Sequence, residues 1–428
     1  MKKNILTLLI IFFAAQVGAQ THDLQSFLAL VEKNSKDLQI ARKDLDMARA
    51  IKKEAWATAL PKIFAQGDYK RNLLENYLYV DFPGMGKQKF KISRNNEYRF
   101  NTVLQQTLFS FKVGDALTAA KQYQKLSGYV FEAQHQGVLS FAKKGFYQAL
   151  LLKKVLQVSR SSLQSAKDNY KNIKDKYDNG LVSELELMQA EMRWKNQIPA
   201  VTEAEKNYRL LMENLKNFAG LKSDETLEFM GSLETYPPKP QRIKTAEALV
   251  LRPDYNALLW EKNLRKTDVK SQYSNYLPSL EGSAVFAFSS ISDEWKLEDQ
   301  NKNFILGLTL SIPIYTGGYT GAQVQKARIN LDKTKIKIQQ TREKIQVELE
   351  SIYLRLDEAE QRIASTRSTL ETAKKAYAIA QSSADDGLIT QLDLRDTRVY
   401  LDQATLGYYF AVFDYLNAYF DWERAAGK

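Results

Sequence analysis

The sequence predicts a mixed α and β membrane protein with an internal duplication, each half setting a pair of strands between long helices. Three observations carry this. First, Gly180-Leu181-Val182-Ser183 returns as Gly387-Leu388-Ile389-Thr390, a shift of 387 − 180 = 207, and Asn217-Phe218-Ala219-Gly220 meets Arg424-Ala425-Ala426-Gly427 at the same shift. A period near two hundred residues is too long for a solenoid unit of about 20 to 50 and reads as a duplicated half-structure. Second, Ile345, Leu349, Ile352, Leu356, Ala359, Ile363, Thr366, Leu370, Ala373, Tyr377 and Ala380 are spaced 4, 3, 4, 3, a coiled-coil seam. Third, the segments after Pro61 and Pro278 switch to a period of two, as strands with one apolar face require.

The elements follow in order. Met1-Lys2-Lys3, an apolar run from Ile5 to Ala15 and Val17-Gly18-Ala19 mark residues 1–19 as a signal peptide. The first repeat, 20–235, opens with a helix over about 22–58 and continues with a strand pair, 61–72 and 96–108. In it Ile63, Ala65, Gly67 and Tyr69 alternate with Phe64, Gln66, Asp68 and Lys70. A helix over roughly 114–178 carries the same seam shifted back by 207, from Val138 and Ala142 to Tyr170 and Ile173. At 1.5 Å per residue such helices approach 100 Å, far more than a globular core needs. The turn near Gly180 leads to a return helix over about 183–218, where Pro199 predicts a kink. Tyr236-Pro237-Pro238-Lys239-Pro240 marks 236–243 as a linker. The second repeat, 244–428, has a helix to about 275, strands at 278–290 and 302–314, and helices over 320–385 and 391–425 joined by a tip near 387. Pro61, Pro278 and Pro313 stand at strand–helix junctions, and Gly317-Gly318 permits a sharp turn. The first repeat has Thr107 and Ser110-Phe111-Lys112 at the matching place, so its junction must be built differently and less sharply bent.

Composition excludes much chemistry. The chain has no cysteine, hence no disulfide, thiolate nucleophile, thiolate metal site or lipidated cysteine. Its two histidines, His22 and His135, lie in polar helical surroundings that fit a solvated role. No catalytic constellation, cofactor motif or metal-ligand spacing is present, so no enzymatic activity, cofactor or metal is expected. The formal charge is +11, or 11 − 2 = +9 once Lys2 and Lys3 leave with the signal. The basic residues are scattered among acids on helix faces, so no nucleic acid partner is expected; acidic or phosphorylated envelope partners suit them better.

Each strand is about ten residues, the length that crosses a membrane when tilted. Aromatic residues gather at both strand ends, Tyr77, Tyr79, Phe82 and Trp295 at one and Phe109, Phe111, Tyr273, Tyr276, Tyr315 and Tyr319 at the other, as two bilayer interfaces favour. Four strands cannot sit in lipid alone, because an open sheet leaves edge groups unsatisfied, and closure needs at least eight. Copies of the chain must therefore pool their strands; two, three or four copies are physically possible. A soluble sandwich, a periplasmic adaptor and a coiled-coil scaffold without a pore are the competing readings. An adaptor predicts one helical hairpin between soluble β-domains, not two strand pairs among helices.

Taken in order, Leu277-Pro278-Ser279-Leu280, Leu310-Ser311-Ile312-Pro313-Ile314-Tyr315-Thr316-Gly317-Gly318, the paired Gly-Leu turns and the closing helix to Gly427 resemble the TolC-like outer membrane efflux family over nearly the whole mature chain. The resemblance implies a homotrimer with a twelve-stranded transmembrane β-barrel, four strands per chain, continued by a long periplasmic α-helical coiled-coil barrel. It implies a passive channel subunit of a tripartite efflux or type I secretion system in the outer membrane of a Gram-negative bacterium. Outer membrane lipid, a periplasmic adaptor and an inner-membrane pump of RND, ABC or MFS type would be its partners. Gly180, Leu181, Val182, Gly387, Leu388 and Ile389 then occupy the periplasmic tip where adaptors dock, and Asp393 and Asp396 the pore constriction. The chain has Ala384 and Ile389 where some members latch the closed tip with Tyr and Arg.

Overall fold

The computed structural model describes residues 21–222, 224–386 and 388–428; the signal peptide expected over 1–19 and Gly387 lie outside them. In chain order the elements are β1 (Thr21–His22), α1 (Leu24–Asn34), α2 (Lys36–Ala57), β2 (Lys62–Arg71), β3 (Tyr77–Phe82), β4 (Gly86–Lys91), β5 (Asn96–Ser110), α3 (Phe111–Asp178) and α4 (Glu184–Phe218). They continue as β6 (Glu228–Phe229), α5 (Thr245–Leu251), α6 (Pro253–Tyr273), β7 (Ser279–Ser292), β8 (Gln300–Ser311), α7 (Tyr319–Asp385) and α8 (Gln391–Ala426). The compact units cut across the sequence repeats: one comprises 21–41, 133–252 and 344–428, the other 42–132 and 253–343.

The second unit holds a four-stranded antiparallel sheet in the order β2-β5-β7-β8, so β2 and β8 are open edges. Its register aligns Ile63, Leu104, Ala284 and Leu306 across all four strands, and beside them Ala65, Thr102, Phe286 and Phe304. The other face aligns Gln66, Asn101, Ala287 and Asn303, then Asp68, Arg99, Ser289 and Asn301. Because side chains alternate along a strand, this register sorts the sheet into one apolar and one largely polar face. On β8, Leu306 and Leu308 are each 73% exposed, so nothing within the chain covers the apolar face.

The strand–helix junctions differ between the repeats. β5 contains a bulge between Thr107 and Phe109 and passes into α3 at Phe111 without an intervening loop. β8 instead ends at Ser311, and Pro313 lies in an irregular segment closed by Gly317 and Gly318 at φ +61° and +82° before α7. Pro61 and Pro278 each stand directly before a strand, β2 and β7, where a missing N–H costs no ladder bond. Between β2 and β5 the chain also forms the hairpin β3–β4, which alternation alone did not reveal. Asp293, after β7, accepts hydrogen bonds from Lys91 Nζ (3.1 Å), Arg94 Nη1 (2.8 Å) and the Asn95 N–H (3.1 Å). Arg94 and Lys91 hold its carboxyl at about 2.

The first unit is built from the seam residues. Leu356 and Leu416 are fully buried, and Ile345, Leu349, Ile352, Ala359 and Ile363 line the same stripe. At one end β1 pairs with β6, and Phe229 meets Phe27 and Phe146 at ring distances of 4.8 Å. The proline-rich linker has no regular structure but is strapped down: Tyr415 donates to the Pro237 carbonyl at 2.9 Å, the Ile243 N–H donates to the Tyr353 hydroxyl at 2.8 Å, and Lys239 pairs with Glu360 at 3.0 Å. α4 runs through Pro199 as a single helix.

Candidate functional site: the paired helical tips

Both helical hairpins of the first unit turn by the same backbone bonds. After α3, the Leu181 N–H reaches back to the Lys176 carbonyl at 2.8 Å; after α7, the Leu388 N–H reaches the Ser383 carbonyl at 2.8 Å, 207 residues on. This six-residue return is the Schellman closure, which needs a left-handed residue just past the helix. Gly180 supplies it at φ +74°.

Each return helix then starts from a hydroxyl cap. Ser183 Oγ accepts from the Glu186 N–H at 3.3 Å, and Thr390 Oγ1 accepts from the Asp393 N–H at 3.2 Å. The second tip completes the reciprocal arrangement, because the Thr390 N–H and hydroxyl donate to Asp393 Oδ2 at 3.2 and 2.6 Å. Such a box satisfies donors that the first helical turn leaves without partners. The Thr390 hydroxyl, and then its N–H, lower the Asp393 pKa.

Of the sequence-derived site residues, Leu181 and Leu388 stand out from the tips, 73% and 75% exposed, with Val182 and Ile389 half-buried beside them. Asp393 and Asp396 lie on one helical face, three residues apart, but the structure gives them separate tasks. Asp393 belongs to the cap, while Asp396 takes both Nε and Nη2 of Arg395. Arg193 of α4 is close enough to feel both Arg395 and Asp396, and burial, ahead of Arg395, lowers its pKa. Sequence reasoning missed the two arginines; Thr390-x-x-Asp393 was legible as a capping box. Among the described residues no group of histidines and carboxylates is arranged to hold a metal.

The family model for the outer membrane efflux protein matches residues 28–221 and 245–421, once for each repeat. The chain belongs to that family. It is therefore a channel protein of the outer membrane extending into the periplasm, and channels of this kind are not enzymes. It is 20% identical over 335 residues to the alkaline protease secretion protein AprF of Pseudomonas aeruginosa, spanning 77% of this chain and 70% of that one. With the outer membrane protein TolC of Salmonella enteritidis it shares 19% identity over 410 residues, 91% of this chain and 80% of TolC. Its fold is similar to the Campylobacter jejuni CmeC outer membrane channel, at a TM-score of 0.80 and 20% identity over 94% of this chain and 85% of CmeC.

Proposed function

We propose that three copies of this chain close a twelve-stranded barrel in the outer membrane and act as the passive exit duct of a tripartite efflux or type I secretion system. The observation that carries it is the four-stranded sheet with free edges at β2 and β8 and one uncovered apolar face. Unpaired strand edges are not tolerated in hydrocarbon, so each edge must meet the edge of another copy. The polar face, with Gln66, Asp68, Arg99, Asn101, Asn301 and Asn303, would then line water.

In this reading Leu181, Val182, Leu388 and Ile389, with Gly180 and Gly387, present the tips to a periplasmic adaptor, and the energy for export comes from an inner-membrane pump of the RND, ABC or MFS type. Exposed apolar side chains on a short turn suit such a contact. Asp393 and Asp396 would bring six carboxylates to the constriction of a trimer and favour cations. Arg395 and Arg193 offset that charge, so the preference should be modest. Conductance of the purified protein in planar bilayers tests the duct: stepwise channels with weak cation preference are expected, and a protein that inserts no channels and runs as a monomer in detergent overturns it. Leu388→Asp should cut export while leaving the amount in the outer membrane unchanged.

A further inference from the structure

The duplication carries a statement about neighbouring subunits. Within one chain α3 lies against α8: Lys143 Nζ pairs with Glu423 at 2.6 Å, Lys144 with Asp421, Arg398 Nη2 donates to Ser161 Oγ at 2.8 Å, and the Ser162 hydroxyl donates to Asp402. The shift of 207 carries α3 onto α7 and returns α8 onto α4. Among the described residues no hydrogen bond, ion pair or ring contact joins α7 to α4 within the chain. Their corresponding faces are open, with Leu354 59% and Leu210 57% exposed.

Mapping the in-chain contacts onto those faces reverses their charges. Lys143 and Glu423 become Glu350 and Lys216. Arg398 and Asp402, one turn apart on α8, become Glu191 and Lys195 on α4, already paired with each other at 2.6 Å. Ser161 and Ser162 become Ser368 and Thr369, hydroxyls again. A second seam thus repeats the geometry of the first with opposite polarity.

We propose that α7 docks on α4 of a second copy of this chain in that register, with Glu350 paired to the partner subunit's Lys216 and Ser368 and Thr369 facing the partner subunit's Glu191 and Lys195. This rests on the ring reading above and adds its register and its specificity. The polarity reversal makes each seam reject the other's helix: α3 against the partner subunit's α4 would oppose Lys143 with Lys216, and α7 against the partner subunit's α8 would oppose Glu350 with Glu423. Like charges brought together disfavour an arrangement as strongly as matched charges favour it. Repeats must therefore alternate around the ring, which excludes assemblies that place like repeats side by side.

The absence of native cysteine makes the test direct. Glu350→Cys with Lys216→Cys, treated with a short bifunctional thiol reagent, should give covalent species up to the full ring. Glu350→Cys with Leu210→Cys, offset by about 9 Å along the helix, should give little. If the offset pair links as well as the matched pair, or the matched pair fails while an amine-reactive reagent still captures the ring, the register is wrong and the ring stands. If neither reagent captures an oligomer, the ring reading falls too. As a second readout, Glu350→Lys should speed subunit dissociation about tenfold, and adding Lys216→Glu should restore it. A double variant no better than the single one overturns the pairing.

Discussion

Where their first helices end, the two repeats carry Ser35 and Arg252, and the structure treats them in opposite ways. Both backbones close identically, the Ser35 N–H on Val31 and the Arg252 N–H on Ala248, each at 2.9 Å. Arg252 then places its buried guanidinium against Glu348 at 2.6 Å and the Ala425 carbonyl. Ser35 is equally buried, but its hydroxyl has no partner. It borders a cavity of about 690 Å³ whose wall holds Phe141 where the second repeat has Glu348. The lesson is that backbone closures survive duplication unchanged, because turn geometry admits few solutions, whereas side-chain partners diverge once each repeat packs against the other.

The seams offer the strongest way to break this comparison. Leu356 in the second repeat is fully buried, and its counterpart in the first is Ala149, 1% exposed. If the first repeat tolerates the smaller residue only because its own neighbours fill the space, Leu356→Ala should still leave a cavity and cost about 2–5 kcal/mol. Urea unfolding of the detergent-solubilised protein measures this. A loss well under 1 kcal/mol would mean that the second repeat can collapse as the first has.

The backbone closures should behave alike, and that sharpens the contrast. Gly220 and Gly427 have φ of +68° and +73°, and a Cβ there would lie 2.3 Å from the Asn34 carbonyl oxygen and 2.7 Å from the Leu251 carbonyl carbon. Alanine at either site meets both the left-handed penalty of roughly 1–2 kcal/mol and a backbone clash. Gly220→Ala and Gly427→Ala should therefore lower the melting temperature by similar amounts. A large inequality would show that one repeat depends on its closure more than the other.

At the Ser35 and Arg252 pair the signs should differ. Removing the arginine strips a charge-assisted bond from Glu348, so Arg252→Ala should cost about 2 kcal/mol. Ser35→Ala removes a buried hydroxyl that bonds to nothing and should be neutral or stabilising by up to about 1 kcal/mol. Thermal unfolding of both variants decides it; a marked loss for Ser35→Ala would reveal a partner for that hydroxyl.

What was legible in the sequence follows the same division. The 3.5-residue seam, the strand alternation and the Gly-Leu tips were readable, because each is a periodic or backbone requirement written in local residues. The β3–β4 hairpin was not, since Tyr77, Tyr79 and Phe82 read equally well as an aromatic loop and Lys87, Lys89 and Lys91 dilute the apolar face. Nor was the Asp293 cluster, whose donors Lys91, Arg94 and Asn95 lie about two hundred residues away in sequence. At the tips, spacing located Asp393 and Asp396 but not the neighbours that set their charge: Arg395 and Arg193 are visible only once α4 and α8 are side by side.

The smallest expected effect separates the two tips themselves. Asp393 accepts from the Thr390 N–H and hydroxyl, while the first tip has a hydroxyl cap with no such return bond printed between Glu186 and Ser183. Because the Asp393 pKa is lowered in the folded chain, its contribution is fully present above the ordinary aspartate range near 3.8 and is lost as pH falls through the depressed folded value. Amide exchange over residues 390–394 should thus accelerate on acidification well below pH 3.8, while exchange over 183–187 changes less. Asp393→Asn keeps the shape but removes the charge facing the positive end of α8, so it should raise exchange at the second tip at neutral pH and flatten its acid response. If wild type and variant share one pH profile, the carboxylate is not what holds that turn, and its charge is free to act on whatever passes the tip.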